Sequence, residues 1–266
     1  MKIKLDLFPG GVTKALTTSW DDGRIYDRQL VAVLNRHGLK GSFHLNSGFF
    51  GKDSYITREE AASLYKGHEI SAHTCTHPFL SMTPREGIAE EVLRDREHLE
   101  QIAGYPVRGM SYPFGDYNDG VLSILPALGI EYSRTVQSHG SFILPDNPLA
   151  WHPTCHHRDM LALGQQFLEE KPKYPRMQLL YVWGHSYEFN DNNNWEELEQ
   201  FAGMMGGHED IWYATNIEIV DYLSAVRGLR FSASRSIVYN PSAVDVWITA
   251  EDQVRQIPSG ATLQLD

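Results

Sequence analysis

ALTTSWDDGRIYDRQLVAVLNRHG, residues 15–38, contains a complete strand–loop–helix unit. The stretch 15–20 is rich in threonine and aromatic side chains and reads as a strand. Asp21-Asp22-Gly23 ends it. Over 25–37 the apolar residues Leu30, Val31, Val33 and Leu34 recur at helical spacing, and Gly38 stands where a helix commonly stops. A strand that feeds a helix through an acidic loop is the building block of a parallel sheet covered by helices.

The same unit recurs along the chain. Residues 41–46 read as a strand, and Thr57 with Glu60 forms a capping box for a helix that ends at Gly67. Residues 68–73 are strand-like. Thr83-Pro84-Arg85-Glu86 reads as a second capping box, opening a helix that runs to Gly104. Strands at 107–112, 130–136 and 178–184 alternate with helices at 118–129, 158–170 and 194–205, and a short strand precedes a last helix at 217–228. Seven βα-type units predict an α/β fold, a distorted seven-stranded barrel over residues 1–228. Residues 229–266 alternate apolar side chains between turn signals at Asn240-Pro241 and Pro258-Ser259-Gly260, which predicts a small β-rich extension packed on the barrel. The N-terminal MKIKLDLF either pairs with it or forms a hairpin of its own.

Composition narrows the function. The 266 residues carry 23 basic and 34 acidic side chains, a net charge of −11, which argues against nucleic acid or an anionic membrane surface as partner. No apolar run is long enough to span a bilayer. The N-terminus has no signal-peptide core, so the sequence as it stands points to the cytoplasm, and to secretion only if a leader has been removed. Cys75 and Cys155 make no disulfide framework and read as buried thiols.

In parallel α/β barrels catalytic groups gather at the strand ends. Here those ends carry Asp21 and Asp22, then His73 and His77, then Ser111-Tyr112-Pro113-Phe114-Gly115, then Trp183-Gly184-His185. One carboxylate with two imidazoles is a common ligand set for zinc or another divalent ion. A second carboxylate beside it suits a general base, and a third histidine a general acid. Thr74 follows His73 where a zinc-protease helix would need glutamate, so the pair belongs on a loop.

Taken together, TTSWDDG, HTCTH, SYPFG and WGHSYEF resemble, in order, the motifs of the polysaccharide deacetylase family, carbohydrate esterase family four, across most of residues 12–226. The resemblance implies metal-dependent hydrolysis of N- or O-acetyl groups on a carbohydrate or another acetylated small molecule. It implies Asp21 as base, His185 as acid, Asp22, His73 and His77 as ligands of one divalent ion (Zn2+ foremost, with Co2+, Mn2+ or Ni2+ as alternatives), and the Phe114 backbone N–H as an oxyanion donor. The chain departs from the family where an arginine normally braces the base: Ser111 stands there. The family's Asp-x-x-Asp-Trp is reduced to Asn147-Pro148-Leu149-Ala150-Trp151, and Trp183 replaces a leucine. Arg134 is the candidate replacement brace, and Glu188 or Asp159 the candidate partner of His185. Tyr112, Trp151, Trp183 and His156 are candidate substrate contacts. Two other readings stay open: hydrolysis of a non-sugar C–N bond in a cyclic ureide or imide, and a carbohydrate-binding relative without catalysis.

Overall fold

The computed structural model describes residues 1–174 and 176–265. Seven parallel strands lie in the order Tyr132–Arg134, Gly109–Ser111, Glu69–Ala72, Gly41–Leu45, Lys14–Asp22, Gln178–His185 and Cys155–His156. They curl into a half-barrel. Ile211–Tyr213 adds to the start of the central strand, pairing with Lys14 to Leu16 below the point where Gly41–Leu45 begins to pair. The two outer strands are not laddered to each other. A bridge from Arg134 to Trp151 and the bond from the Thr135 N–H to the Trp151 carbonyl tie the segment after Trp151 to the first edge.

The long central strand is buried almost throughout. Leu16 and Trp20 belong to the main core with Phe43, Leu34, Leu180 and Phe189, whereas Asp21, one residue further on, falls on the opposite face. Strand periodicity forces that division. Each fully buried core side chain of Phe43's size contributes about 1.5–3 kcal/mol, so the strand that carries the aspartates is anchored by its neighbours' packing.

The helical units end where glycine or a capping residue allows. Asp27–Arg36 precedes a left-handed Gly38, and Arg58–Leu64 has the expected box between Thr57 and Glu60. The second box is absent: the helix starts at Arg85, and the Thr83 hydroxyl donates to the Phe79 carbonyl instead. Proline at the boundary already fixes the entry geometry, so the hydroxyl is free to close the preceding turn. Residues 155–156 and the helix Ser186–Asp191 carried no sequence signal. The first is a two-residue strand, and the second follows a strand without a break.

Beyond residue 228 the chain forms antiparallel strands in two small sheets. Ile3–Lys4 pairs with Val246–Ala250, so the N-terminal segment belongs to the extension's sheet and not to the barrel. Phe8, Val246, Ile248 and Ile257 pack with Tyr181, Ile219 and Tyr222 in one apolar cluster, so barrel and extension share a core. Asp266, the last residue of the predicted extension, lies outside the described residues. No helix among the described residues is long and apolar enough to cross a membrane.

Candidate active site

Register sets the site. Asp21 is the ladder partner of His44 on one side and of His185 on the other. In a parallel pair, such partners point to the same face, so the carboxylate and the imidazole stand side by side, with Nε2 3.9 Å from Oδ2. Ser111 and Arg134 are also ladder partners, on the two strands beyond Glu69–Ala72 at that edge of the sheet. A pocket of about 470 Å³ opens above them, lined by Asp21, Asp22, His73, His77 and His185, with Tyr112, Phe114, Val136, Trp183 and Tyr187 around the acidic and basic groups.

Asp22, His73 and His77 converge. His73 Nε2 and His77 Nε2 are 3.1 Å apart, and Asp22 Oδ1 lies 3.7 Å and 3.8 Å from them. A triangle with those edges has a point about 2.1 Å from all three atoms, the length of a zinc–nitrogen bond. The His73 Nδ1 faces the Ser111 carbonyl at 2.9 Å and the Ser111 hydroxyl at 2.7 Å. Its proton therefore belongs on Nδ1, which leaves the Nε2 lone pair for a cation. Burial and the neighbouring His73 push the His77 pKa down to about 4, against the pull of Asp22, so it too presents a free lone pair. The donor set fits one divalent ion.

The loop is shaped for this. Thr74 and His77 both have left-handed backbone, at φ 65° and 60°, and the His77 N–H donates to Thr74 Oγ1. Behind it, Asp95 accepts the N–H groups of Ser47 and His73 at 2.8 and 3.0 Å. Sequence reading missed Asp95, yet a signal exists: Ile88, Val92, Asp95 and Leu99 form the buried stripe of their helix, and an aspartate in an apolar stripe needs a partner.

Asp21 is buried and held by two donors. Ser111 Oγ donates to Oδ1 at 2.9 Å, and the fully buried Arg134 donates to Oδ2. Arg134 also reaches Ser19 Oγ at 3.1 Å and the Thr135 carbonyl at 3.2 Å, and lies 4.5 Å from the Trp183 ring centroid. Burial alone would raise the Asp21 pKa. Arg134, then His73 and His185, outweigh it and hold the carboxyl far below the usual range. Ser111 thus couples His73 to Asp21, while the guanidinium comes from the next strand.

His185 Nδ1 lies 3.1 Å from Glu188 Oε2, one turn along its own helix. Burial would lower the pKa of His185, but the Glu188 hydrogen bond and the charges of Asp21 and Asp22 raise it overall. Asp159, the other candidate partner, is exposed and makes no described contact with it. Phe114 sits at the pocket rim with a left-handed φ of 57°, and its N–H makes no hydrogen bond among the described residues. Tyr112 and Trp183 line the pocket. Two predicted substrate contacts do not. Trp151 is buried between Tyr132 and Tyr181 in the second core, because its backbone bridges to Arg134 and turns the ring inward. His156 lies behind Trp183 and faces Glu188.

The sequence profile of the family described as polysaccharide deacetylase matches residues 11–133. A chitin deacetylase of Pestalotiopsis is 30% identical over 123 residues, which cover 44% of this chain and 40% of that protein. The chain therefore spans less than half the length of that relative. Among solved structures, a Mycobacterium smegmatis protein described as a polysaccharide deacetylase by assignment is similar with a TM-score of 0.63, at 16% identity over 85% of this chain and 96% of that one. A carbohydrate esterase family four pseudoenzyme from Bacillus anthracis is similar with a TM-score of 0.51, at 15% identity over 80% and 66%. At such identities the likeness establishes the fold alone, and a pseudoenzyme among the similar structures leaves activity to be argued from the residues.

Proposed function

We propose that this chain, whose residues 11–133 match the polysaccharide deacetylase family profile, belongs to a divergent branch of that family and hydrolyses N- or O-acetyl groups on a carbohydrate, dependent on one divalent metal ion. The observation that carries the reading is the register of Asp21 and His185 on adjacent strands, beside the triangle of Asp22, His73 and His77. A base and an acid on one face of a carbonyl-sized space are of no use to a protein that only binds sugar.

Asp22, His73 and His77 would hold the ion, with zinc favoured by the two imidazoles. When bound, such an ion supplies Lewis-acid polarisation of the acyl oxygen and of water. Asp21, kept ionised by Arg134 and Ser111, takes the proton of the attacking water. The Phe114 N–H faces the developing negative charge on the acyl oxygen, where a fixed donor is worth about 10²–10³ in rate. His185, carrying a proton because Glu188 and Asp21 favour the charged form, delivers it to the departing nitrogen or oxygen. Tyr112, Val136 and Trp183 give the acyl methyl group an apolar wall.

The test is release of acetate from acetylated chitooligosaccharides and acetylated xylan by zinc-loaded and chelator-treated protein, with cyclic ureides and imides as controls. Acetate released only by the loaded protein supports the reading. Ring opening of a ureide without acetate release moves the chain to the C–N hydrolase alternative. Inertness to every substrate with zinc bound makes it a binding relative.

A further inference from the structure

Three histidines surround one carboxylate oxygen behind the pocket. Glu188 Oε2 lies 3.0 Å from His156 Nε2, 3.0 Å from His157 Nε2 and 3.1 Å from His185 Nδ1. The His185 backbone N–H also points to it, at 3.3 Å. Such a cluster could hold a second metal ion or act as a hydrogen-bonded clamp. The proton positions decide between them.

His156 Nδ1 faces two donors, the backbone N–H of Arg158 at 3.4 Å and its Nε–H at 3.1 Å. It must therefore be an acceptor, and the ring proton resides on Nε2, where it is donated to Glu188. A cation on Nε2 would force the proton onto Nδ1, against both Arg158 groups, so this tautomer argues against a second metal. His157 is buried and pressed against the strand at Gly184. A Cβ on residue 184 would lie 2.3 Å from His157 Cδ2. The glycine beside His185 is thus what lets a second imidazole reach Glu188. The other His157 nitrogen is buried with no hydrogen-bond partner among the described residues, so its donor is spent on Glu188. Burial holds His157 neutral. Burial also opposes ionisation of Glu188, but the bonds from His156, His157 and His185 prevail and keep it a carboxylate.

We propose that Glu188 is a positioning residue for His185: gripped by His156 and His157, it holds the His185 ring with Nδ1 protonated and Nε2 turned to Asp21. This rests on the acid role given to His185 above. The PTCHH segment and Gly184 then have one purpose, to fix a negative charge behind the proton donor. The other charged or titratable groups facing His185 are Asp21 and Asp22 from the central strand, Asp27 from the following helix, His157 behind it and Tyr187 on its own helix. Glu188 is its direct hydrogen-bond partner among them.

The experiment is an NMR titration of ¹⁵N-histidine protein loaded with one equivalent of zinc, with Glu188→Gln, Glu188→Asp and His185→Gln (the last to assign the ring). In the parent protein the neutral His185 ring should show the Nδ1–H tautomer. Glu188→Gln should lower the His185 pKa by about one unit or more, since a charge within hydrogen-bond reach is lost. It should move the alkaline limb of kcat/KM down by the same amount, reduce kcat more than KM, and leave the zinc content unchanged. Glu188→Asp should restore much of the shift. An Nε2–H tautomer in the parent protein, an unmoved His185 pKa in the glutamine variant, or a second zinc that this variant loses would each overturn the proposal. The titration needs no turnover, so a protein that releases no acetate but passes it would sink the deacetylase reading and leave the clamp standing.

Discussion

Arg134→Met tests the centre of the site, since methionine keeps volume and removes charge. The structure supplies its own calibration. Asp27, Glu69 and Asp95 are fully buried carboxyls with hydroxyl or N–H partners but no guanidinium, and burial raises each to about 7. Asp21 is buried as deeply and differs by Arg134. Without it the Asp21 pKa should climb toward that level, with His73 and His185 still opposing the climb. The base is then partly protonated near neutrality, and the acid limb of kcat/KM should rise by about 1–3 pH units. Leaving one partner of a buried pair alone costs about 3–5 kcal/mol, which for a chain of this size lowers Tm by about 6–20 °C. The native shift has the opposite sign: a depressed carboxyl stabilises the fold above its unfolded pKa of about 3.9 and loses that contribution as pH falls below it. Arg134→Lys should recover part of the acid limb, because it restores the charge but not the fork to Ser19 and Thr135. Acetate release across pH 4–9 and thermal melts read both effects. An Arg134→Met protein with an unmoved acid limb would refute the reasoning.

Three further outcomes are expected. His77→Ala should lower bound zinc from about one equivalent and abolish acetate release; full metal content by elemental analysis would remove His77 from the ligand set. His185→Gln should reduce kcat by about 10²–10⁴-fold and erase the alkaline limb, which in the parent lies above the reference value of about 6.5 because the His185 pKa is raised. Its zinc content should stay unchanged, and loss of metal would make His185 a ligand. Gly184→Ala should destabilise the protein by about 1–3 kcal/mol through overpacking against His157, and a melt identical to the parent's would show that His157 can move aside.

The barrel was legible because strand and helix periods alternate cleanly, and the strand ends followed from it. Arg134 could be singled out because it lies at the end of the strand read over 130–136, where a side chain can turn inward toward Asp21. Ser111 read as a loss, since a sequence shows that an arginine is missing but not that a hydroxyl can accept from His73 and donate to Asp21 at once. The sequence points Trp151 to the cleft as an aromatic near a strand end and His156 as part of the polar PTCHH cluster, but position along the chain does not say which way a ring points. For Trp151 a single backbone bridge turned it into the core. Glu188 was one of two candidate partners for His185, and only the helix Ser186–Asp191, which carried no pattern of its own, separated it from Asp159.

The shared sheet of Ile3–Lys4 with Val246–Ala250 has a consequence for synthesis. Residues near the start of the chain wait for partners that are translated almost 250 positions later. Until then Phe8 and the outer faces of Tyr181 and Tyr222 lack the strands that cover them. The growing polypeptide therefore carries an open apolar surface beside a finished barrel, and a ribosome stalled before residue 246 would release a species prone to aggregate. The last strands close the molecule, and a truncation that spares every residue of the pocket should still be cleared as misfolded.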